Sequence, residues 1–138
     1  MKSLLPRLLV LFFGVFFSLA IQSQSYPTKP LRMVVTFPAG GPLDIVARMI
    51  SGKLGEALGQ SVIIDNRGGA GGTIGIEHVT KSAPDGYTFV LSSTALGIFP
   101  HVYANLPFDV LRDLAPVSLV STTPELMVVH PSIPAKNA

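Results

Sequence analysis

The stretch Leu31-Arg-Met-Val-Val-Thr-Phe-Pro-Ala-Gly-Gly-Pro-Leu-Asp44 runs from an apolar, β-branched segment into small and cyclic residues, and its reading decides the fold. Leu31 to Phe37 suits a strand buried on both faces of a parallel sheet. In the loop from Phe37 to Asp44, Gly40 and Gly41 leave the backbone uncovered, while Pro38 and Pro42 each fix φ and remove an N–H. Such a loop presents backbone rather than side chains. Behind it Ile45, Val46, Met49, Ile50, Leu54, Ala57 and Leu58 follow a helical stripe, with Arg48, Lys53 and Glu56 largely opposite, and Gly59 ends the helix. Where a loop opens a helix, the first-turn amides lack intrahelical partners and the dipole adds positive potential. A carboxylate or phosphate is the natural guest.

The pattern then repeats. Ser61 to Asp65 reads as a second strand, followed by Asn66-Arg67 and the cluster Gly68-Gly69-Ala70-Gly71-Gly72. Thr73 is placed to cap a second helix carrying Ile74, Ile76 and Val79. Asp85-Gly86 is a turn signal, and Tyr87 to Leu91 is a third strand ending in Ser92-Ser93-Thr94. The order β-α-β-α-β with right-handed crossovers predicts parallel strands whose carboxyl ends share one edge. Open α/β sheets bind ligands at that edge, where Ala39 to Asp44, Gly69 to Thr73 and Ser92 to Ala95 converge. Further on, the sequence predicts a short helix around Gly97 to Tyr103, a turn at Asn105 to Asp109, and two more strands, Val117 to Ser121 and Leu126 to His130.

The 138 residues are enough for one ordinary domain and short for two. Residues 1–25 have the layout of a secretory signal: Lys2 and Arg7, an apolar run from Leu8 to Ile21 interrupted by Gly14 and Ser18, then a small polar tail. Small-x-small rules allow cleavage after Ala20 or after Ser25, and the run is shorter than the roughly 20 residues of a spanning helix. Of ten Lys and Arg against eight Asp and Glu, two basic residues lie in this leader, which leaves the remainder balanced. No basic cluster argues for nucleic acid. The absence of cysteine excludes disulfides and thiolate chemistry.

The individual motifs do not assemble an enzyme. The glycine cluster fails the dinucleotide spacing at Ile74, and no Gly-Lys-Ser/Thr follows it. Ser92, Ser93 and Thr94 lack a nucleophile elbow. His78, His101 and His130 have no metal-ligand spacing. Arg67 suits either a carboxylate ligand or loop bracing, and Asp44 either a helix-opening role or a ligand contact. No catalytic residue, metal or cofactor is expected.

Three stretches taken together resemble a known family: Phe37 to Asp44, Asp65-Asn-Arg-Gly-Gly-Ala-Gly-Gly72 with Thr73 and Gly75, and Ala83-Pro-Asp-Gly-Tyr-Thr88. The chain from about Tyr26 onward, with Asn105 to Asp109 and Val128-Val-His-Pro131, is similar to Bug-type extracytoplasmic solute receptors of tripartite tricarboxylate transporters. The resemblance implies an α/β, type II periplasmic binding (Venus-flytrap) fold, present as the N-terminal part of the first lobe over 26–122. Residues 123–138 then begin the crossover to the second lobe. It further implies a monomeric, non-enzymatic periplasmic receptor that passes a small carboxylate (a di- or tricarboxylate, aromatic acid or amino acid) to membrane transporter subunits. By position, the ligand residues are Ala39, Gly40, Gly41 and Asp44, then Gly71, Gly72 and Thr73, then Ser93 and Thr94. Pro42-Leu43 stands where many members carry small or hydroxyl residues, and Gly68 where they commonly carry proline. Members are considerably longer, so a truncated chain with a one-sided, weakly binding site is expected. The rival readings are a secreted α/β phosphate- or nucleotide-handling enzyme and a truncated gene product without function.

Overall fold

The computed structural model describes residues 26–124, 126 and 128–134. The expected signal peptide lies outside them. Three parallel strands, β1 (Leu31–Val35), β2 (Val62–Asn66) and β3 (Thr88–Leu91), form a sheet in the order β2-β1-β3. Helix α1 (Pro42–Leu58) connects β1 to β2. A 3-10 turn (Ala70–Gly72) and α2 (Thr73–Thr80) connect β2 to β3, and α3 (Ala95–Val102) follows. The register pairs Val35 with both Asn66 and Leu91, so the three strands end level. The predicted common edge is present.

β1 is central, and its residues Met33, Val34 and Val35 are buried on both faces, as a doubly covered parallel strand requires. Met33 and Val35 pack with Ala47, and Leu43, Ile50, Leu54, Ile64 and Phe89 complete that layer. On the other face Ile76, Phe99 and Phe108 are buried together, with Val90, Leu96 and Leu106 around them. The turn at Asn105 to Asp109 thus delivers Phe108 into the core beneath α2 and α3.

Three expectations are corrected. The inward row of α1 is Leu43, Ala47, Ile50 and Leu54, while Ile45 and Met49 are 54% and 71% exposed. The apolar stripe is broad enough for two rotational settings; small Ala47 against the sheet and inward Asp44 select one of them. Thr73 does not cap α2: Gly72 holds that position, and the Thr73 hydroxyl donates back to the Ala70 carbonyl at 3.0 Å. Val117 to Ser121 forms no strand, with Val117 90% exposed, and Leu126 and Val128 are likewise irregular and exposed, Met127 lying outside the described residues. β-propensity needs a partner to receive its hydrogen bonds, and no backbone hydrogen bond joins Val117 to Ser121 to the sheet among the described residues.

Candidate functional site

At the carboxyl edge, the first loop turns tightly because Gly41 N–H donates to Pro38 O at 3.1 Å. Gly41 opens α1 in extended conformation, and Pro42 occupies the first helical position, where a missing N–H costs nothing. Asp44 lies in the first turn with only 2% of its surface exposed. Its Oδ2 accepts from Gly40 N–H and from Arg48 Nε, both at 2.8 Å, and its Oδ1 accepts from Asn66 Nδ2 at 2.9 Å. These donors, Arg48 first, then Gly40, then Asn66, outweigh desolvation and hold the carboxyl well below the usual carboxylate range, and Asp44 in turn raises Arg48.

The second loop lies directly on the first. A Cβ at Gly68 would come within 3.0 Å of Pro38 Cδ and 3.1 Å of its nitrogen, so a larger residue there would require the first loop to shift by a few tenths of an ångström. Arg67 is braced rather than free: its backbone N–H donates to Val35 O at 2.8 Å, and its Nε lies 2.9 Å from Asp65 Oδ2. Gly72, at φ 109°, sits against buried Thr36, whose Cβ a side chain there would approach to 3.2 Å. The Ala70 carbonyl accepts from the hydroxyls of Thr73 and Tyr103, at 3.0 and 3.1 Å, and the Tyr103 ring packs edge-on against Phe99.

The third loop joins the others through Thr36, whose N–H donates to Leu91 O at 3.3 Å. Within it the Ser93 hydroxyl accepts from Ala95 N–H at 3.3 Å and opens α3, a local serine turn; Thr94 immediately precedes that helix. The residues expected from sequence therefore fall into two groups. Ala39, Gly40, Gly41 and Asp44 are brought against the loop carrying Gly71, Gly72 and Thr73. Ser93 and Thr94 share the edge by strand register, without a direct bond to either loop among the described residues.

Sequence reasoning missed Thr36, Asn66 and Tyr103. The signal for Asn66 is an amide side chain at the last residue of a strand beside a glycine loop. Thr36 and Tyr103 give no local signal, since their partners lie far along the chain.

Many of the polar groups at the edge are satisfied internally. Internal donors already occupy the carbonyls of Phe37, Pro38, Gly69, Ala70, Leu91, Ser93 and Thr94 and both oxygens of Asp44. The N–H groups of Ala39, Leu43, Asp44 and Gly71 find no acceptor among the described residues. The carbonyls of Ala39, Gly40, Gly68 and Ser92 likewise receive no donor among the described residues, but the free first-turn N–H groups at the start of α1, with the helix dipole behind them, suit an anion. A groove of about 540 Å³ lined by Ser51, Gly55, Gln60 and Val62 lies at the opposite end of the sheet.

Residues 46–138 match the model of the tripartite tricarboxylate transporter family receptor. Protein BugT of Bordetella pertussis is 40% identical over 127 residues, which cover 87% of this chain and 39% of BugT. Among solved structures, the periplasmic binding protein BugD superposes with TM-score 0.62 at 41% identity, covering 64% of this chain and 29% of BugD. MatC from Rhodopseudomonas palustris with bound malate gives 0.60 at 36% identity, covering 69% and 33%. The chain spans well under half the length of these proteins, and its fold is part of a lobe of a periplasmic binding protein. The chain belongs to the tripartite tricarboxylate transporter receptor family, among the Bug-type solute receptors.

Proposed function

We propose that this chain supplies one jaw of a periplasmic receptor that captures a small carboxylate for a tripartite tricarboxylate transporter. The observation that carries the reading is the set of N–H groups without an internal acceptor at the opening of α1, those of Ala39, Leu43 and Asp44. In this reading Ala39 N–H and the first turn of α1, through Leu43 and Asp44 N–H, bind one anionic group with the helix dipole behind them. Gly71 N–H adds a donor from the second loop, Gly40, Gly41 and Gly72 shape the backbone, and Thr73, Ser93 and Thr94 line the rim. Asp44 is the one acidic side chain on these loops, and internal donors occupy both its oxygens. That disposition supports binding rather than acid–base catalysis. The malate in MatC is a ligand of the chemistry such an edge would hold.

Magnitudes explain why a second jaw is needed. Four charge-assisted hydrogen bonds contribute about 1.5–3 kcal/mol each, against an association cost of about 4–15 kcal/mol. A ligand held from one side keeps the rest of its hydration and gains little. Calorimetric titration of the chain, with BugT in parallel, against malate, citrate, benzoate and glutamate tests the proposal. The expected result is binding of at least one carboxylate, about millimolar or weaker in the chain and much tighter in BugT. Silence of both proteins toward every acid refutes it.

A further inference from the structure

We infer that Asn66 is a positioning residue of this site, closing with Asp44 a clip that fixes the first loop on the end of β2. Its Nδ2 donates to Asp44 Oδ1 at 2.9 Å and to Phe37 O at 3.2 Å, so one amide nitrogen grips the loop at its start and at its finish. Asp44 carries the grip to the middle, because its Oδ2 accepts Gly40 N–H. Arg48 Nε, on the same oxygen, holds the carboxylate ionised and fixed in place. The direction of the Ala39, Leu43 and Asp44 N–H groups is what this arrangement sets.

The chemistry requires an amide at position 66. Both acceptors facing Nδ2, a main-chain carbonyl and a carboxylate, need a donor. Aspartate would place a second negative charge beside Asp44, and leucine would leave both acceptors unpartnered in a half-buried setting, where an unmade hydrogen bond is costly. Position 66 is also the last rung of the β1–β2 ladder, opposite Val35, so the clip is anchored on the sheet itself. Gly68, two residues on, rests against Pro38 and closes the same seam by contact.

The loop's service as a ligand cradle rests on the receptor reading; the clip itself can be measured without a ligand. The test is amide hydrogen exchange by NMR on the 138-residue chain and on the variants Asn66→Leu and Asp44→Asn, which attack the clip from its two ends. In both, the N–H groups of Gly40 and Gly41 are expected to exchange about tenfold faster or more, while Met33, Val34 and Ile64 stay within about twofold. Unchanged exchange at Gly40 and Gly41 overturns the inference. So does equal acceleration across the sheet, which would make Asn66 a general support of the fold. Titration with malate separates the two claims. A parent chain that binds malate with variants about tenfold weaker supports the positioning role, and equal affinities overturn it. If BugT and the chain are both silent toward all acids the receptor reading fails, while the exchange pattern still decides the clip.

Discussion

Replacing glycine by alanine at two helical positions, Gly75 and Gly52, should shift stability in opposite directions. Both lie inside helices, α2 and α1, where alanine is favoured over glycine by about 1 kcal/mol. At Gly52 nothing lies within 4 Å of the added Cβ, so Gly52→Ala should stabilise by about 0.5–1 kcal/mol, chiefly through the unfolded chain. At Gly75 the same methyl would lie 2.8 Å from the Arg67 carbonyl oxygen, 3.2 Å from Thr36 Cγ2 and 3.4 Å from Thr36 Cα. Two of these atoms are backbone, and Ile76 on the same turn is fully buried, so α2 cannot retreat without opening a void. Overpacking costs about 1–3 kcal/mol, and rigid surroundings place this site in the upper half of that range. Net of propensity, Gly75→Ala should destabilise by about 1–2 kcal/mol. Urea denaturation followed by circular dichroism reads both, and the midpoints should fall on opposite sides of the parent's. If the two variants move together, or Gly75→Ala proves the more stable, then the close approach of α2 to Thr36 is wrong.

Phe108→Ala removes a ring buried with Ile76 and Phe99 and should cost about 3–5 kcal/mol; a loss under about 1 kcal/mol in the same urea assay would show that the Asn105 to Asp109 turn is not docked. The Asp44 carboxyl is held below its ordinary value of 3.8, first by Arg48 and then by Gly40 and Asn66. Its contribution is therefore fully present above the unfolded value and is lost as pH falls toward the folded one. The stability gap between parent and Asp44→Asn should accordingly be widest above about pH 5 and narrow as the pH is lowered toward about 2; a gap that is constant or widens on acidification would refute the network.

Much of the architecture was legible in the sequence because it rests on local rules. The β-branched run at Leu31, the Pro-Gly loop before α1, Gly59 at its end, and crossovers long enough to be helices fix strand direction. Strand direction in turn places three loops on one edge. The two loops are legible in the same way, since a glycine-rich turn after a strand and before a helix announces itself within a few residues, while the candidate residues Ala39 to Gly41 and Gly71 to Thr73 come from the resemblance. The joint order of three motifs pointed to the family.

Tertiary structure alone decided the rest, wherever two or more local solutions have nearly equal merit and a distant residue selects between them. The broad apolar stripe of α1 is compatible with Ile45 and Met49 facing inward; packing against Met33 and Val35 chose Ala47. Asp44 reads from the sequence as a helix-opening acid or a ligand contact; Asn66, twenty-two residues away, with Arg48 and Gly40, partners its carboxylate within the fold. Val117 to Ser121 carries the propensity of a strand and forms none, because a strand exists only with a neighbour to receive its hydrogen bonds. Thr36 and Tyr103 gain their roles from contacts with Gly72 and Ala70 that no short window contains. Local chemistry set the order and direction of the elements, while long-range pairing set their rotation and which polar side chains partner one another within the fold.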